Sequence, residues 1–489
     1  MYRGWAIMNH RRVTSVRRSL GLLMTAIMLS SGSAHALTLK EAIAVAVESN
    51  PEIGQAIENR EAIEFELRQA KGLYLPSIDL EASTGIRRLD NDSRRALDQE
   101  DDALYPNEAG VVITQKLYDH GARRAELERQ ASRVDGASFR VLERSEFIGL
   151  AVVQDYLEYL LQASIVDEAK KNLAVHQSIL GDIREGVEGG ALTDADRQQG
   201  EERLYAAKSR LISAKEELEA AKIRFFKTVG KPLTNPKQPG SVAKTLPRSL
   251  DDAIGLARTN NPRIHMATSD IDAAASEVDA ARAKFGPEIV AEGRARIGDD
   301  IDGDDGDTND LQARLVLRWN LYRGGIDKAN EQEQIRRASE QRMILHQVYR
   351  ENEEAVRISW ERRFRQAELA ASLAKQASSS AQIVVSYREQ FKVGQRSLLD
   401  VLDAQNTRFN TATLSDTAQF ASLFAEYRLL AATGQLLSTM GVSPAKQSDA
   451  YARGEFNVPE TAATETYART PSEQKNNLPF DILAPVRKK

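Results

Sequence analysis

The most chemically suggestive pair of side chains in this 489-residue chain is Asp400 and Asp403. If their segment is helical, a separation of three residues places both carboxylates on one face. Two such charges about 7 Å apart repel by about 0.6 kcal/mol in water, and the repulsion grows where water is excluded. We therefore predict that the pair attracts cations at a hydrated surface. An ordinary solvated helix face is the alternative.

Two short segments combine a glycine with a hydroxyl residue three positions later. They are Gly190-Ala191-Leu192-Thr193 and Gly394-Gln395-Arg396-Ser397, and the second lies just before the aspartate pair. Glycine is favoured where a helix ends, and Ser or Thr where the next helix begins. The segments therefore predict two tight turns between helices, and ordinary turns would account for the glycines but not for the carboxylates.

Other reactive chemistry has little support in the sequence. The chain has no cysteine, which excludes disulfides, thiol catalysis and cysteine-bound metal centres. No nucleotide-binding motif occurs. Outside residues 1–36, no two histidines lie close in sequence; they are His120, His176, His265 and His346. We predict that the protein is not an enzyme and has neither a cofactor nor a metal site.

An acidic loop from Asp299 to Asp307 is the one segment with a possible cation-binding pattern. An EF-hand loop requires glycine at its sixth position, and counting from Asp300 that position holds Asp305. The corresponding loop from Arg88 to Glu108 is also polar and acidic. We expect a solvated loop between strands, with calcium binding as the less favoured alternative.

The first 36 residues have the pattern of a cleavable export signal. Residues 1–18 carry five arginines and no acid, and the apolar run from Leu20 to Leu29 leads to Ala34-His35-Ala36. That run is too short for a membrane helix, which needs about 20 residues. Cleavage would start the mature chain at Leu37 and leave 61 basic against 71 acidic side chains. This balance gives no indication of nucleic-acid binding.

The rest of the chain consists of two copies of one design. Seven residues between Leu39 and Ala56 recur 211 positions later, and Asn50-Pro51 becomes Asn261-Pro262. Beyond the first loop the offset is 204, so that Gly190 corresponds to Gly394. We predict a first repeat at 37–229, a proline-rich linker at 230–249 and a second repeat at 250–440. Residues 441–489 are predicted to be a disordered or peripheral tail.

Each repeat is predicted to contain two short helices, two strands, one very long helix and a further helix. Apolar and charged residues alternate at 288–298 and 311–321, and more faintly at 77–87 and 109–118, which indicates strands with one apolar face. Eleven tilted residues rise about 28 Å, which suits a membrane barrel. Four strands cannot close a barrel, so several chains would have to share one. A half-buried soluble sheet is the alternative.

Helix length favours the membrane interpretation. The chain lacks proline between Pro106 and Pro232 and again between Pro287 and Pro444. Helices from Ala122 to about Gly186 and from Ile326 to Val393 would each extend roughly 100 Å. A coiled-coil seam with alternating large and small residues is predicted in the following helix. Its members are Leu204, Ala207, Leu211, Ala214, Leu218, Ala221 and Phe225.

These features together resemble the TolC family of outer-membrane efflux and secretion ducts over residues 38–440. The resemblance includes the duplication, the Asn-Pro breaks and three further motifs. These are Gln115-Lys116-Leu117-Tyr118-Asp119-His120-Gly121, Asn320-Leu321-Tyr322-Arg323-Gly324-Gly325 and Ser397-Leu398-Leu399-Asp400-Val401-Leu402-Asp403-Ala404. The resemblance implies a mainly α fold in which a homotrimer forms a 12-stranded β-barrel above a 12-helix coiled-coil tunnel.

The resemblance also implies roles for the two turns. Asp400 and Asp403 would line the periplasmic entrance, and Arg396 would bridge to Asp196 in the other tip and hold the entrance shut. Phe391 stands where family members often carry Tyr. The tips would dock an adaptor protein through exposed residues. These are Gly190, Ala191, Leu192, Gly394, Gln395 and Ser397.

The sequence thus predicts an outer-membrane export channel, embedded in outer-membrane lipid, that works with a periplasmic adaptor and an inner-membrane pump. Because the chain has no nucleotide-binding motif, energy would come from the pump. Ion-gradient drug efflux (an RND-type pump) and ATP-driven type I protein secretion (an ABC-type pump) both remain open. A periplasmic structural coiled coil without a pore is the competing interpretation.

Overall fold

The structure is a computed structural model that describes residues 37–303 and 306–461. The predicted export signal, residues 1–36, lies outside the described residues. The first repeat contains helices α1 (Leu39–Ser49), α2 (Pro51–Gly72), α3 (Asp92–Ala96), α4 (Ala122–Glu188) and α5 (Asp194–Val229), and strands β1 (Ser77–Thr84), β2 (Arg87–Arg88), β3 (Ala103–Leu104) and β4 (Asn107–Tyr118).

The second repeat follows the same plan after a linker. It contains helices α6 (Leu250–Asn260), α7 (Pro262–Ala283), α8 (Ile326–Lys392), α9 (Leu398–Ala432) and α10 (Leu436–Met440), and strands β5 (Glu288–Asp299) and β6 (Asp307–Arg318). A last short helix, α11 (Ala452–Glu455), follows the repeat. Among the described residues, no helix is both long enough and apolar enough to cross a membrane.

The Asn-Pro breaks behave as predicted and also join helices end to end. The Asn50 side chain caps α2 by accepting from the Glu52 amide, and its Nδ2 donates to the Thr228 carbonyl at the end of α5 at 2.9 Å. Asn261 caps α7 in the same way, and its Nδ2 lies 3.5 Å from the Ala432 carbonyl at the end of α9. Each short helix therefore continues the line of a longer one.

The four main strands form one antiparallel sheet in the order β1-β4-β5-β6. Ile113 lies opposite Gly293, which lies opposite Ala313, so small and apolar residues share one face. On the other face Glu292 forms ion pairs with Arg314 at 2.7 Å and Arg318 at 2.9 Å. The strand predicted at 311–321 is shifted in the structure to Asp307–Arg318.

Helices and strands together make a wall of four columns. In order across the wall, the columns are β1-α2-α5, β4-α4, β5-α7-α9 and β6-α8, because α4 packs against α2, α5, α7 and α9, and α8 packs against α7 and α9. Helices α4 and α8 have 67 residues each, or about 100 Å at 1.5 Å per residue. The first and last columns each have one side without a neighbour among the described elements.

The largest apolar core lies where the linker crosses the helices. It includes Tyr156 and Phe225, which are fully buried, together with residues of α1, α9 and α10. Two tyrosine hydroxyls fix the linker: Tyr156 donates to the Lys237 carbonyl at 2.8 Å, and Tyr427 donates to the Gly240 carbonyl at 3.0 Å. The predicted coiled-coil seam of α5 is also packed, with Ala207, Ala214, Ala221 and Phe225 buried.

Residues 441–461 of the predicted tail pack on the helices, so the disordered alternative does not hold for this segment. Arg453 is buried between Asp135 of α4, at 3.0 Å, and Asp272 of α7, at 2.7 Å. Asp135 also accepts hydrogen bonds from the backbone amides of residues 451, 452 and 453. One arginine thus joins two columns. The short length of α11 leaves too little periodicity for this packing to be read from the sequence.

Candidate functional site

The first turn predicted from the sequence joins α4 to α5. Gly190 has φ of +71°, and the Ala191 amide donates to the Gly186 carbonyl at 2.8 Å, which closes the helix end. The Thr193 hydroxyl then accepts from the Asp196 amide, while Asp196 Oδ2 accepts from the Thr193 amide at 2.8 Å. This reciprocal capping box places Thr193, the N-cap of α5, only three residues after Gly190.

The second turn, between α8 and α9, repeats this geometry. Gly394 has φ of +72°, and the Gln395 amide donates to the Gln390 carbonyl at 2.9 Å. Ser397 and Asp400 form the reciprocal capping box that starts α9. Asp400 and Asp196 therefore occupy the same position in the two repeats, although the sequence suggested different roles for them.

The capping bonds have an electrostatic consequence. Hydrogen bonds from the Ser397 hydroxyl and amide lower the pKa of Asp400 below its ordinary value, and bonds from the Thr193 amide and hydroxyl do the same for Asp196. Hydrogen bonds to a carboxylate stabilise its charged form. Each tip therefore holds a negative charge at its surface.

Asp403 has different surroundings from Asp400. Arg203 of α5 approaches it at 3.4 Å, and 58% of the Asp403 side chain remains exposed. The exposed fraction of the Asp400 side chain is 43%. Both carboxylates predicted at the entrance are thus accessible to solvent, and each is held by a different partner.

Arg396 lies over the ring of Tyr387, with the guanidinium carbon 4.2 Å from the ring centre. Its Nε donates to Gln390 at 3.1 Å, and it approaches Asp400 at 3.9 Å. Among the described residues, no ion pair joins Arg396 to Asp196 within one chain. The predicted bridge is therefore not an intrachain contact, because both side chains are held by residues of their own tips.

Tyr387 is the residue that the sequence analysis missed at this site. It lies one helical turn before Phe391, and both pack in a small apolar cluster with Leu398, Val401 and Leu402. The sequence does contain a signal for Tyr387, because it lies four residues before Phe391 and positions i and i+4 share a helix face.

The two tips differ most at one position. Leu192 of the first tip packs over Gly186, where an added Cβ would lie 2.8 Å from the leucine side chain. Arg396 is the corresponding residue of the second tip, and Gln390 corresponds to Gly186. Of the predicted docking residues, Leu192 is half-buried, whereas the others are exposed. The exposed residues are Gly190, Ala191, Gly394, Gln395 and Ser397.

A buried polar group lies above the second tip, between α4 and α9. Gln405 donates to Asn172 at 2.8 Å, and His176 lies one turn further along α4 with only 4% of its surface exposed. Burial lowers the pKa of His176, with a further contribution from Arg210 and Arg203. Burial thus disfavours the charged form of this histidine.

Metal coordination has no support in the geometry. Within 37–303 and 306–461, no group of His, Asp or Glu side chains could hold a metal ion. In the acidic loop, Asp302 pairs with Arg296, and Asp300 accepts from the amides of Tyr105 and Gly306. These carboxylates are used in contacts within the protein.

Comparison with known proteins gives a consistent result. A family model described as "Outer membrane efflux protein" matches residues 42–231 and 253–435. The outer membrane efflux protein BepC of Brucella suis biovar 1 (strain 1330) is 25% identical over 421 residues, which cover 85% of this chain and 89% of BepC. The proteases secretion protein PrtF of Dickeya chrysanthemi is 23% identical, over 81% of this chain and 87% of PrtF.

Solved structures extend the comparison to the fold. The crystal structure of the Campylobacter jejuni CmeC outer membrane channel matches with a TM-score of 0.72 at 16% identity. The match covers 86% of this chain and 89% of that chain. At this level of identity, the match supports the four-column architecture described above.

Proposed function

Because the chain belongs to the outer membrane efflux protein family, we propose that it is the outer-membrane exit channel of a tripartite export system. The observation that carries this proposal is the four-column wall with its two unpartnered sides. A single wall encloses no passage. Several walls joined side to side would enclose one that continues from the sheet to the helix tips.

We propose a homotrimer, in which three sheets supply 12 strands and three helical walls supply 12 helices. Among the strands that the structure describes, β1 and β6 have no partner on their outer edges. The sheet has one apolar face, on which Leu311 is 85% and Leu315 is 72% exposed. A membrane barrel would place this face against lipid and the arginine–glutamate face toward water.

The helix tips are proposed to form the periplasmic entrance. Asp400 and Asp403 would give a trimer six carboxylates at this level, and the capping bonds keep Asp400 ionised. Arg396 is exposed, and within residues 37–303 and 306–461 it has no ion pair shorter than 3.9 Å. An exchange of its contacts with Gln390 and Tyr387 for an ion pair with Asp196 of a neighbouring chain would hold the entrance shut.

The partners are proposed to be a periplasmic adaptor, docked on the exposed tip residues, and an inner-membrane pump. The names of the two relatives describe outer-membrane efflux and protease secretion. Both cargo classes, small toxic molecules and secreted proteins, therefore remain compatible with this chain. The cargo would be selected at the pump, because the tips offer acidic charge but no enclosed binding site.

Solute release from vesicles tests the proposal. Purified protein would be reconstituted into liposomes that contain a small fluorescent solute, and wild type would be compared with Arg396→Ala. We expect slow release from wild type and release at least severalfold faster from the variant, because the entrance loses its latch. Arg337→Ala is the matched control, since Arg337 pairs with Glu333 of its own helix far from the tip.

Two results would contradict different parts of the proposal. Complete retention of the solute by all three proteins, despite demonstrated insertion, would favour a structural coiled coil without a pore. Equal release from wild type and Arg396→Ala would preserve the channel and eliminate the latch.

A further inference from the structure

The outer side of α5 carries a second seam that packs against no other part of the chain that the structure describes. Its residues are separated by alternating steps of four and three, the spacing of a helix that packs along another helix. All are exposed. They are Tyr205, Ser209, Ile212, Glu216, Glu219, Ile223 and Phe226.

The outer side of α8 carries a matching seam. Its residues are also separated by alternating steps of four and three, and all of them are exposed. They are Ile358, Arg362, Arg365, Leu369, Ser372, Gln376, Ser379 and Ile383. The centre of the α5 seam reads apolar, Glu, Glu, apolar, whereas this seam reads apolar, Arg, Arg, apolar.

In the described part of the chain, the four charged residues have only exposed ion pairs on their own helices or none. Arg365 pairs with Glu368, and Glu219 pairs with Lys222, each on its own helix and largely exposed. No ion pair involves Glu216 or Arg362 among the described residues. Arg362 lies near Arg428, whose pKa is lowered by burial and by this like charge. An acidic neighbour at Arg362 would relieve the repulsion.

The duplication supplies a template for how the two seams could meet. Within the chain, α9 packs against α4 at the joint between the repeats. Ser164 donates to Asp416 at 2.6 Å, Arg408 pairs with Glu168 at 3.3 Å, and Gln405 donates to Asn172 at 2.8 Å. The two helices are antiparallel, and these contacts define their register.

The offset of 204 residues relates this internal joint to a joint between chains. The equivalent of α9 is α5, and the equivalent of α4 is α8, which in the joint between chains belongs to the next copy. Under this mapping Ser164 becomes Glu368 and Asp416 becomes Ile212, so Glu368 of one copy would lie opposite Ile212 of the other. Because the helices are antiparallel, Glu216 then lies at the level of Arg362 and Arg365. In the internal joint the equivalents of Glu216 and Glu219 are Phe420 and Leu423, which pack in the apolar core.

We propose that α5 of one chain packs against α8 of a second copy, with Glu216 and Glu219 facing Arg362 and Arg365 across the joint. This inference rests on the proposed assembly and names its contact surface. Opposite charges would favour α5 against α8 and would disfavour α5 against α5 or α8 against α8. At the positions equivalent to Glu216 and Glu219 the internal joint carries the apolar Phe420 and Leu423, so the charges would also distinguish contacts between chains from contacts within a chain.

Cysteine cross-linking tests the joint directly, because the chain has no native cysteine. In Glu216→Cys/Arg362→Cys, mild oxidation should convert most of the protein into covalent dimers and closed trimers on non-reducing gels. The matched control is Ser164→Cys/Asp416→Cys at the internal joint, which should migrate as a monomer because its disulfide forms within one chain. Monomeric migration of the first variant, in samples that are oligomeric before denaturation, would overturn the proposal.

Charge reversal tests the specificity of the joint. Glu216→Arg/Glu219→Arg and Arg362→Glu/Arg365→Glu should each lower the oligomeric fraction at least tenfold, and the combination of all four changes should restore it. The control Glu217→Arg alters an exposed charge beside the seam and should assemble normally. Normal assembly of either double variant, or no recovery in the combined variant, would overturn the proposal.

The vesicle assay separates this inference from the proposed function. Solute release without cross-linking through positions 216 and 362 would eliminate this joint and leave the channel intact. Folded wild-type protein that neither forms oligomers nor releases solute would eliminate the joint and the channel.

Discussion

Asp400 shows how one side chain can serve structure and electrostatics at the same position. Its carboxylate closes the capping box that begins α9, and the same hydrogen bonds lower its pKa. Asp196 does the same for α5. The charge at each tip is therefore a consequence of how the helix begins. Neutralising it with Asn keeps an oxygen acceptor for the cap, whereas Ala removes the acceptor and the charge together.

The buried carboxyl group of Glu146 should make the stability of the fold depend on pH. Its Oε1 accepts from the Leu437 amide at 3.2 Å, whereas its Oε2 is buried without a hydrogen-bond partner. Burial raises its pKa from 4.5 to about 7. The folded state therefore holds its proton more tightly than the unfolded state, and this contribution to stability is lost as pH rises from about 4.5 through 7.

We expect Glu146→Gln to flatten the pH dependence of unfolding. A shift of this size corresponds to roughly 3 kcal/mol between low and neutral pH, and Gln can still accept from the Leu437 amide. Thermal unfolding measured by circular dichroism at pH 5 and pH 8 would show a smaller difference for the variant. An identical pH dependence for wild type and variant would contradict this assignment.

The buried arginine between two columns gives a second residue-scale prediction. Arg453→Ala leaves Asp135 and Asp272 without their cation, although their side chains are only 4% and 0% exposed. Removing one partner of a buried ion pair typically costs roughly 3–5 kcal/mol. We expect a large decrease in thermal stability and rapid proteolysis near residue 453.

Arg68→Ala is the control, because Arg68 forms an exposed pair with Glu64 and is expected to contribute no more than about 1 kcal/mol. Equal losses of stability in Arg453→Ala and Arg68→Ala would contradict the prediction that burial makes the ion pairs of Arg453 more stabilising.

Sequence patterns predicted local roles at the tips better than they predicted contacts between distant residues. Both capping turns were identifiable because glycine and a hydroxyl residue lie three positions apart. The contacts of Arg396 were not, because its long side chain can reach Gln390, Tyr387 or Asp400, and packing decides among them. The Arg453 contacts join residues more than 180 positions apart, and no local pattern specifies them.

At the scale of elements, the two tips depend on residues with positive φ. A Cβ at Gly394 would meet no atom within 4 Å, so the cost of Gly394→Ala comes from backbone conformation alone. That cost is about 1 kcal/mol. Hydrogen exchange of the amides in the tip should become about fivefold faster, because local opening is easier.

Gly181→Ala is the matched control for the tip. Gly181 lies inside α4, is exposed, and also has open space around its Cβ position. Because alanine favours a helix by about 1 kcal/mol over glycine, this change should slow exchange in α4. Faster exchange at Gly181→Ala, or no change at Gly394→Ala, would contradict the account of the turn.

The boundaries of helices could be predicted where both repeats show the same sequence pattern. The long helices end within two residues of their predicted limits, since proline-free sequence and glycine turns bound them on both sides. The last strand was placed too late in the chain. Trp319 and Leu321 continue the apolar alternation, but Trp319 instead donates to the Phe285 carbonyl at 3.0 Å, beyond the end of the strand.

The whole molecule is best understood as an incomplete wall. Its apolar core joins the two repeats. The outer sides of α5 and α8 and the edges of β1 and β6, however, have no partner within the residues that the structure describes. Duplication explains this arrangement, because a joint that exists once within the chain must exist again between chains if the assembly closes. The sequence indicated that oligomerisation is needed, whereas the columns that meet could be identified only from their order in the structure.

Single-channel conductance in a planar bilayer under a salt gradient tests the central claim, that copies of this chain enclose a conducting passage with an acidic entrance. We predict a small, cation-selective current for wild type that persists at pH 5, because the pKa of Asp400 is lowered. Asp400→Asn/Asp403→Asn should conduct with its selectivity largely lost, whereas Glu333→Gln, far from the tips, should behave as wild type. The absence of current from inserted, oligomeric wild-type protein would contradict the account.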